Sequence, residues 1–180
     1  HWWVEYYGPT NTLEVYFNLS DNDRSAATLA FSTTADLYTT LNDSGVSQAW
    51  VGFTGASHDS DGLMQVLAWD FELFNDVDGR VVSFPSARFD DVEDCFQLNG
   101  DADENGGLIR LVPASSDRTG TVWLGNPMRF RPDTNFSSNF SFSIDGETNG
   151  LTFTIQGSGS NVLGNYLGIS GIGNSVIVEF

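Results

Sequence analysis

Helical periodicity is almost absent from this sequence, and that absence limits the folds open to it more than any other feature. Short stretches rich in Val, Phe, Thr and Tyr recur instead, each cut off by Asn, Asp, Gly or Pro. Leu13, Val15 and Phe17 alternate with Glu14, Tyr16 and Asn18, the period of two that gives a strand one apolar and one polar face. Residues 2–7 read as a strand ended by Gly8-Pro9-Thr10-Asn11, and 27–33 as another after the polar turn at 20–24. Strands are expected over 49–54 and 63–73, separated by the polar loop 55–62, and again over 107–112, 121–124, 135–144, 150–156, 166–169 and 174–180. A short helical turn fits only at 35–41, and 74–83 reads as a linker or a tight acidic turn around Asn75-Asp76-Val77-Asp78-Gly79. About a dozen short strands without an internal repeat predict one all-β domain, a jelly-roll sandwich of antiparallel sheets.

Composition agrees with a packed domain: 180 residues, 40% hydrophobic and 13% aromatic, can bury a core. Charge narrows the partners. Asp and Glu number 24 against 7 Arg, with no Lys, for a formal net charge of −17. Such a surface repels nucleic acid and anionic membranes, and it suits calcium or a salty medium. No apolar run approaches the roughly 18 residues that a membrane-spanning helix needs. The sequence opens without Met or a signal-peptide pattern, so a processed or excised piece is expected. Cys95 is the sole cysteine, which excludes an internal disulfide and a cysteine zinc cluster; a buried apolar thiol is expected.

Enzyme signatures are missing. His1 and His58 belong to no recognisable triad, and there is no Gly-x-Ser-x-Gly elbow, His-Glu-x-x-His helix or phosphate loop. Glycoside hydrolysis needs two carboxylates about 5–9 Å apart. No Glu-x-Asp-x-Glu strand supplies them; Glu5, Glu14, Glu72 and Glu179 stand singly on strands and read as outward, solvated charges. The acidic clusters 90–94 and 101–105 depart from the calcium loop pattern and read as solvated turns. Asn18, Asn42, Asn135 and Asn139 each open an Asn-x-Ser triplet, a glycan acceptor if the protein is secreted.

Several segments in concert resemble the legume-type (L-type) lectins. Asn149-Gly150-Leu151-Thr152-Phe153-Thr154-Ile155, Leu163-Gly164-Asn165-Tyr166-Leu167-Gly168 and Asn174-Ser175-Val176-Ile177-Val178-Glu179-Phe180 are similar to the family's Asp-Gly-Leu-Ala-Phe strand, its Gly-rich loop and its Val-Ala-Val-Glu-Phe strand. Phe84-Pro85-Ser86 through Gly100-Asp101-Ala102 resembles the family's amino-terminal strand and Leu-x-Gly-Asp-Ala turn, with Phe140-Ser141-Phe142-Ser143-Ile144 as a core strand. At the front, 1–7, 11–15 and Trp50-Val51-Gly52-Phe53-Thr54-Gly55-Ala56 to Leu67-Ala68-Trp69-Asp70-Phe71 resemble the family's carboxy-terminal part. The resemblance implies a concanavalin A-like sandwich in permuted order: 1–73 matches the family's end, 74–82 is a junction, and 83–180 matches its beginning. A circular permutation and a window across two tandem repeats both produce that order.

The resemblance implies a non-catalytic, carbohydrate-binding domain of a secreted or cell-surface protein, with a glycan as partner. Asn149 stands at the family's sugar-binding Asp, Gly164 and Asn165 in its Gly-rich sugar loop, and His58 and Asp59 in its specificity loop. Calcium is the implied cofactor, and Glu179 matches a metal-binding Glu; the family's metal loop would follow Phe180, and its other ligands are not in this sequence. The alternative is a structural domain of an extracellular adhesin or filament that keeps the fold without a working sugar site and self-associates through exposed strand edges.

Overall fold

The computed structural model describes residues 1–42, 48–57, 61–75, 80–86, 89, 95–164 and 169–180. Thirteen strands are described: β1 (Trp2–Tyr7), β2 (Thr12–Phe17), β3 (Thr28–Thr34), β4 (Trp50–Ser57), β5 (Leu63–Asn75), β6 (Arg80–Ser86), β7 (Phe96–Gly100), β8 (Asp103–Glu104), β9 (Ile109–Val112), β10 (Arg118–Leu124), β11 (Thr134–Asp145), β12 (Leu151–Gln156) and β13 (Ser175–Glu179). One short helix, α1 (Leu37–Asn42), falls where the helical turn was expected.

The strands form two antiparallel sheets. One has eight strands, in the order β3-β2-β1-β11-β5-β9-β8 with β6 pairing the far half of β5; the other has five, in the order β13-β12-β4-β10-β7. The alternation read along residues 13–18 sets their facing: Leu13 and Val15 are buried, while Glu14 and Tyr16 turn to the other face. β11 follows the same rule, burying Phe136 and Phe140 and turning out Asn135, Ser137 and Asn139. Its register shifts between Ser141 and Phe142, a bulge that still leaves Phe142 packed against the core.

Aromatic rings fill the space between the sheets. Phe53 meets Trp69 and Phe140 edge to face, each at 4.9 Å, and Phe140 stacks on Phe153 at 5.9 Å. The Trp69 indole N–H donates to the buried Ser138 hydroxyl at 2.9 Å, so the one polar atom of that ring is satisfied inside the core. Each such ring contributes about 1.5–3 kcal/mol through burial, which helps hold the two sheets together.

Several sequence expectations change. Residues 74–83 do not form a linker: β5 runs to Asn75 and β6 starts at Arg80, paired antiparallel with Asn75 opposite Arg80, so the tight-turn reading fits the ladder. Residues 76–79 lie outside the described residues. The expected strand over 166–169 also falls there, apart from Ile169. β7 and β8 arise where no strand was expected. The carboxylates of 101–105 are not simply solvated, because Asp103 pairs with Arg110 opposite it and Asp101 with Arg118 at 3.1 Å; the cluster 90–94 lies outside the described residues. Cys95 is half-buried rather than buried, since it sits at the chain's entry into β7 with its carbonyl accepting from Gly125 N–H at 2.8 Å.

Candidate functional site

The outer face of the five-stranded sheet is polar and yet buried. Thr54, Thr121, Thr152, Thr154 and Gln156 all lie on it with no solvent exposure. Hydroxyl bonds chain Thr54 to Thr152 at 2.7 Å and Thr152 to Thr154 at 2.8 Å. The covering layer is the segment after β12. Gln156 accepts from the N–H groups of Ser158 and Gly159 and donates to the Gly159 carbonyl. Asn99 donates to the Ser160 carbonyl at 2.9 Å, while the Thr121 hydroxyl and the Trp123 indole N–H both donate to the Val162 carbonyl, at 3.1 and 3.0 Å. Leu163 then lies against Gly100, where φ is +67° and a Cβ would come within 2.2 Å of the Thr119 carbonyl.

One end of this sheet gathers the loops. Asn149, exposed just before β12, donates its backbone N–H to the Ala56 carbonyl near the end of β4 at 3.2 Å. Leu151 and Phe180 exchange both backbone hydrogen bonds, at 3.4 and 2.9 Å, which brings the end of β13 to the same place. Ser57 is buried, donating to the Ser115 carbonyl at 2.7 Å and accepting from Arg118 N–H at 3.3 Å. At the far side of the loop, Gly62 is pressed so close to Thr148 and Glu147 that a Cβ would meet them at 2.1 and 2.3 Å. The loop that leaves β4 is therefore pinned at both ends beside Asn149.

Among the residues expected at the site, Asn149 is joined to the Ala56–Ser57 end of β4, and Glu179 stands opposite Thr152 in the neighbouring ladder. Gly164 is buried on the covering segment, which is tied through Ser160 and Val162 to β7 and β10. His58, Asp59 and Asn165 lie outside the described residues.

The family model for the legume lectin domain matches residues 81–180. The chain belongs to the legume lectin family. The match takes in Asn149, Gly164, Asn165 and Glu179 and leaves His58 and Asp59 before it. No curated protein matches the chain. Membership carries the two-sheet sandwich seen here and carbohydrate as the class of ligand. Legume lectins usually bind calcium and manganese, which require a cluster of oxygen and nitrogen donors. Among the described residues no three or more His, Cys, Asp and Glu side chains gather in one place, and Glu179 is exposed. A calcium ion needs six to eight oxygens, so these residues do not fit one. No described helix is long and apolar enough to cross a membrane.

Sequence reasoning missed a cluster on the outer face of the eight-stranded sheet. Glu5 was expected to be a lone solvated charge. Instead Arg24 Nε and Nη2 donate to its two carboxylate oxygens, each at 2.8 Å, and the guanidinium carbon sits 3.3 Å from the centre of the Tyr16 ring. Glu14 is engaged too, accepting from the Tyr16 hydroxyl at 2.7 Å, a bond that raises that phenol above its ordinary pKa. Glu5 and Glu72 flank Ser137 in register on neighbouring strands, the kind of carboxylate pairing that the sequence did not reveal. The Asn-x-Ser asparagines serve the fold: Asn18, Asn42 and Asn139 donate their amides to Asp21, the Tyr38 carbonyl and Asn22, and Asn135 accepts from Gly8 N–H.

Proposed function

We infer that this chain is a non-catalytic carbohydrate-binding domain of a secreted or cell-surface protein, with its sugar site at the sheet end where Asn149 meets β4. The observation that carries this is the Asn149 N–H to Ala56 carbonyl bond, which holds the residue that resembles the family's sugar-binding Asp against the strand leading to His58 and Asp59. A carboxamide offers one acceptor and two donors, so Asn149 can bracket two adjacent sugar hydroxyls without a charge. His58, Asp59, Gly164 and Asn165 complete the proposed site. Protein contacts at Ala56, Ser57 and Gly62 hold the loops, a task that calcium would otherwise perform. The two-bond pairing of Glu5 with Arg24 supports reading that carboxylate as structural.

Residues 1–73 supply β1 to β3 and most of β5 in the larger sheet, and β4 at the centre of the smaller one, between β12 and β10. That placement supports reading them as the family's carboxy-terminal part, joined through 74–82 to the matched stretch, whether by permutation or across a tandem junction. A glycan array run with calcium and then with chelator tests the function, with Asn149→Ala alongside. Binding is expected in both conditions and to weaken about tenfold or more in the variant, the loss of one or two hydrogen bonds. Unaltered binding by Asn149→Ala rules out this site.

A second reading, assembly rather than sugar recognition, is favoured by β3. All seven of its residues are exposed, Leu29 at 47% and Phe31 at 42%, and none is charged, Gly or Pro. Sheet edges are normally guarded by such residues, and an unguarded edge accepts another strand.

A further inference from the structure

A second cleft, of about 490 Å³, opens at the opposite pole of the sandwich, within the roughly 300–1,000 Å³ typical of ligand sites. β11 measures the separation. It starts at Thr134 beside this cleft and ends at Asp145, opposite Leu63, beside the Asn149 loops. Twelve residues of strand span roughly 36 Å.

Three loops that are remote in sequence build the cleft. Pro9 comes from the turn after β1, Pro132 and Asp133 from the turn before β11, and Asp36 and Tyr38 from the start of α1. Each is fixed. Asn11, with φ of 54°, accepts the Tyr6 hydroxyl at 2.8 Å, and its carbonyl accepts Ala35 N–H at 2.8 Å. Asp36 accepts Thr39 N–H at 2.9 Å and its hydroxyl at 2.8 Å. Thr134 accepts Arg131 N–H at 2.9 Å, closing the turn that carries Pro132 and Asp133. Ordering on binding therefore costs little.

The lining combines two kinds of group. Tyr38, 40% exposed, and the two prolines offer an apolar wall. Beside it the Asp133 carboxylate, the Tyr38 hydroxyl and the Asn11 Nδ2 have no protein partner among the described residues. An apolar wall with acceptors and donors beside it matches a pyranose, which has an apolar ring face and a rim of hydroxyls. A divalent cation matches less well: the cleft offers two carboxylates, and no cluster of three His, Cys, Asp or Glu occurs among the described residues.

We propose that this cleft is a second carbohydrate subsite, built on Tyr38, Asn11, Asp36 and Asp133, which makes the domain bivalent toward glycans from opposite ends. The site is independent of Asn149. The experiment is an amide-resolved NMR titration of the full chain with methyl mannoside, methyl galactoside and N-acetylglucosamine in turn. At least one probe is expected to shift the amides of Asn11, Asp36, Tyr38 and Asp133 in a saturable way. Tyr38→Ala should weaken that response about tenfold, the worth of an aromatic contact, while Tyr38→Phe keeps most of it. Asn149→Ala should leave it unchanged, and shifts at Ala56 and Asn149 report the other pole separately. If no probe moves these four amides, or if Tyr38→Ala responds as the parent chain does, the second subsite does not exist, whatever happens at Asn149.

Discussion

Replacing Arg24 by Ala removes three effects at once from the outer face of the eight-stranded sheet. The first is the two-bond pair with Glu5; with the side chains 35% and 30% exposed, screening limits it to about 1 kcal/mol. The second is the guanidinium resting 3.3 Å from the Tyr16 ring centre, worth about 0.5–1 kcal/mol at a partly exposed site. The third is compensation: Glu5 and Glu14 stand directly opposite each other in the β1–β2 ladder, and without Arg24 the like charges cost about 0.5 kcal/mol. Together these give about 2 kcal/mol, or a fall in Tm of roughly 4–8 °C for a domain of this size. Urea unfolding followed by tryptophan fluorescence measures the loss. Adding Glu5→Gln to Arg24→Ala should return about 0.5 kcal/mol, because the opposed pair is then broken. A loss below about 0.5 kcal/mol for the single variant, or a further loss in the double variant, refutes this account.

Two further outcomes follow from charge and from the bare edge. With a net charge of −17, stability at low salt should rise as pH falls from 7 toward about 5 and repulsion eases, and added salt should flatten that rise. Asp23 and Asp36 reverse the trend: hydrogen bonds from Ser25 and Thr39 lower their pKa values, so their stabilisation is present above the unfolded value near 3.9 and is lost as pH falls through the folded one. Thermal melts across pH should therefore peak near pH 5; a flat profile at low salt contradicts the argument. On β3, Phe31→Lys should abolish any concentration-dependent self-association seen by sedimentation, and equal association in the variant removes β3 as the assembling edge.

The alternation of β2 was legible, with Leu13 and Val15 buried and Phe17 half-buried, and β11 falls where a strand was expected over 135–144. β7 and β8 were not, because Phe96–Gly100 is brief and Asp103–Glu104 is two carboxylates that pair only once Arg110 stands opposite. Residues 74–83 misled for a similar reason: turn-forming side chains say that the chain reverses, and only the ladder says that both flanks are strand. The contact between Asn149 and Ala56 was not legible, since it links residues far apart in sequence that no local pattern connects. The Glu5–Arg24–Tyr16 cluster and the cleft at Tyr38 depend on register and on loops meeting in space, which single-strand patterns do not encode.

The segment that covers the five-stranded sheet is held by its carbonyls and amides, at Ser158, Gly159, Ser160 and Val162, while the gripping side chains belong to Asn99, Thr121, Trp123 and Gln156 beneath it. Gly159, with φ of 122°, tolerates little change, but backbone carbonyls are common to all residues, so non-proline substitutions at Ser160 and Val162 keep these bonds. Mutational drift there is free to alter what the surface displays while the scaffold keeps its shape, and ligand preference can diversify without a matching loss of foldedness.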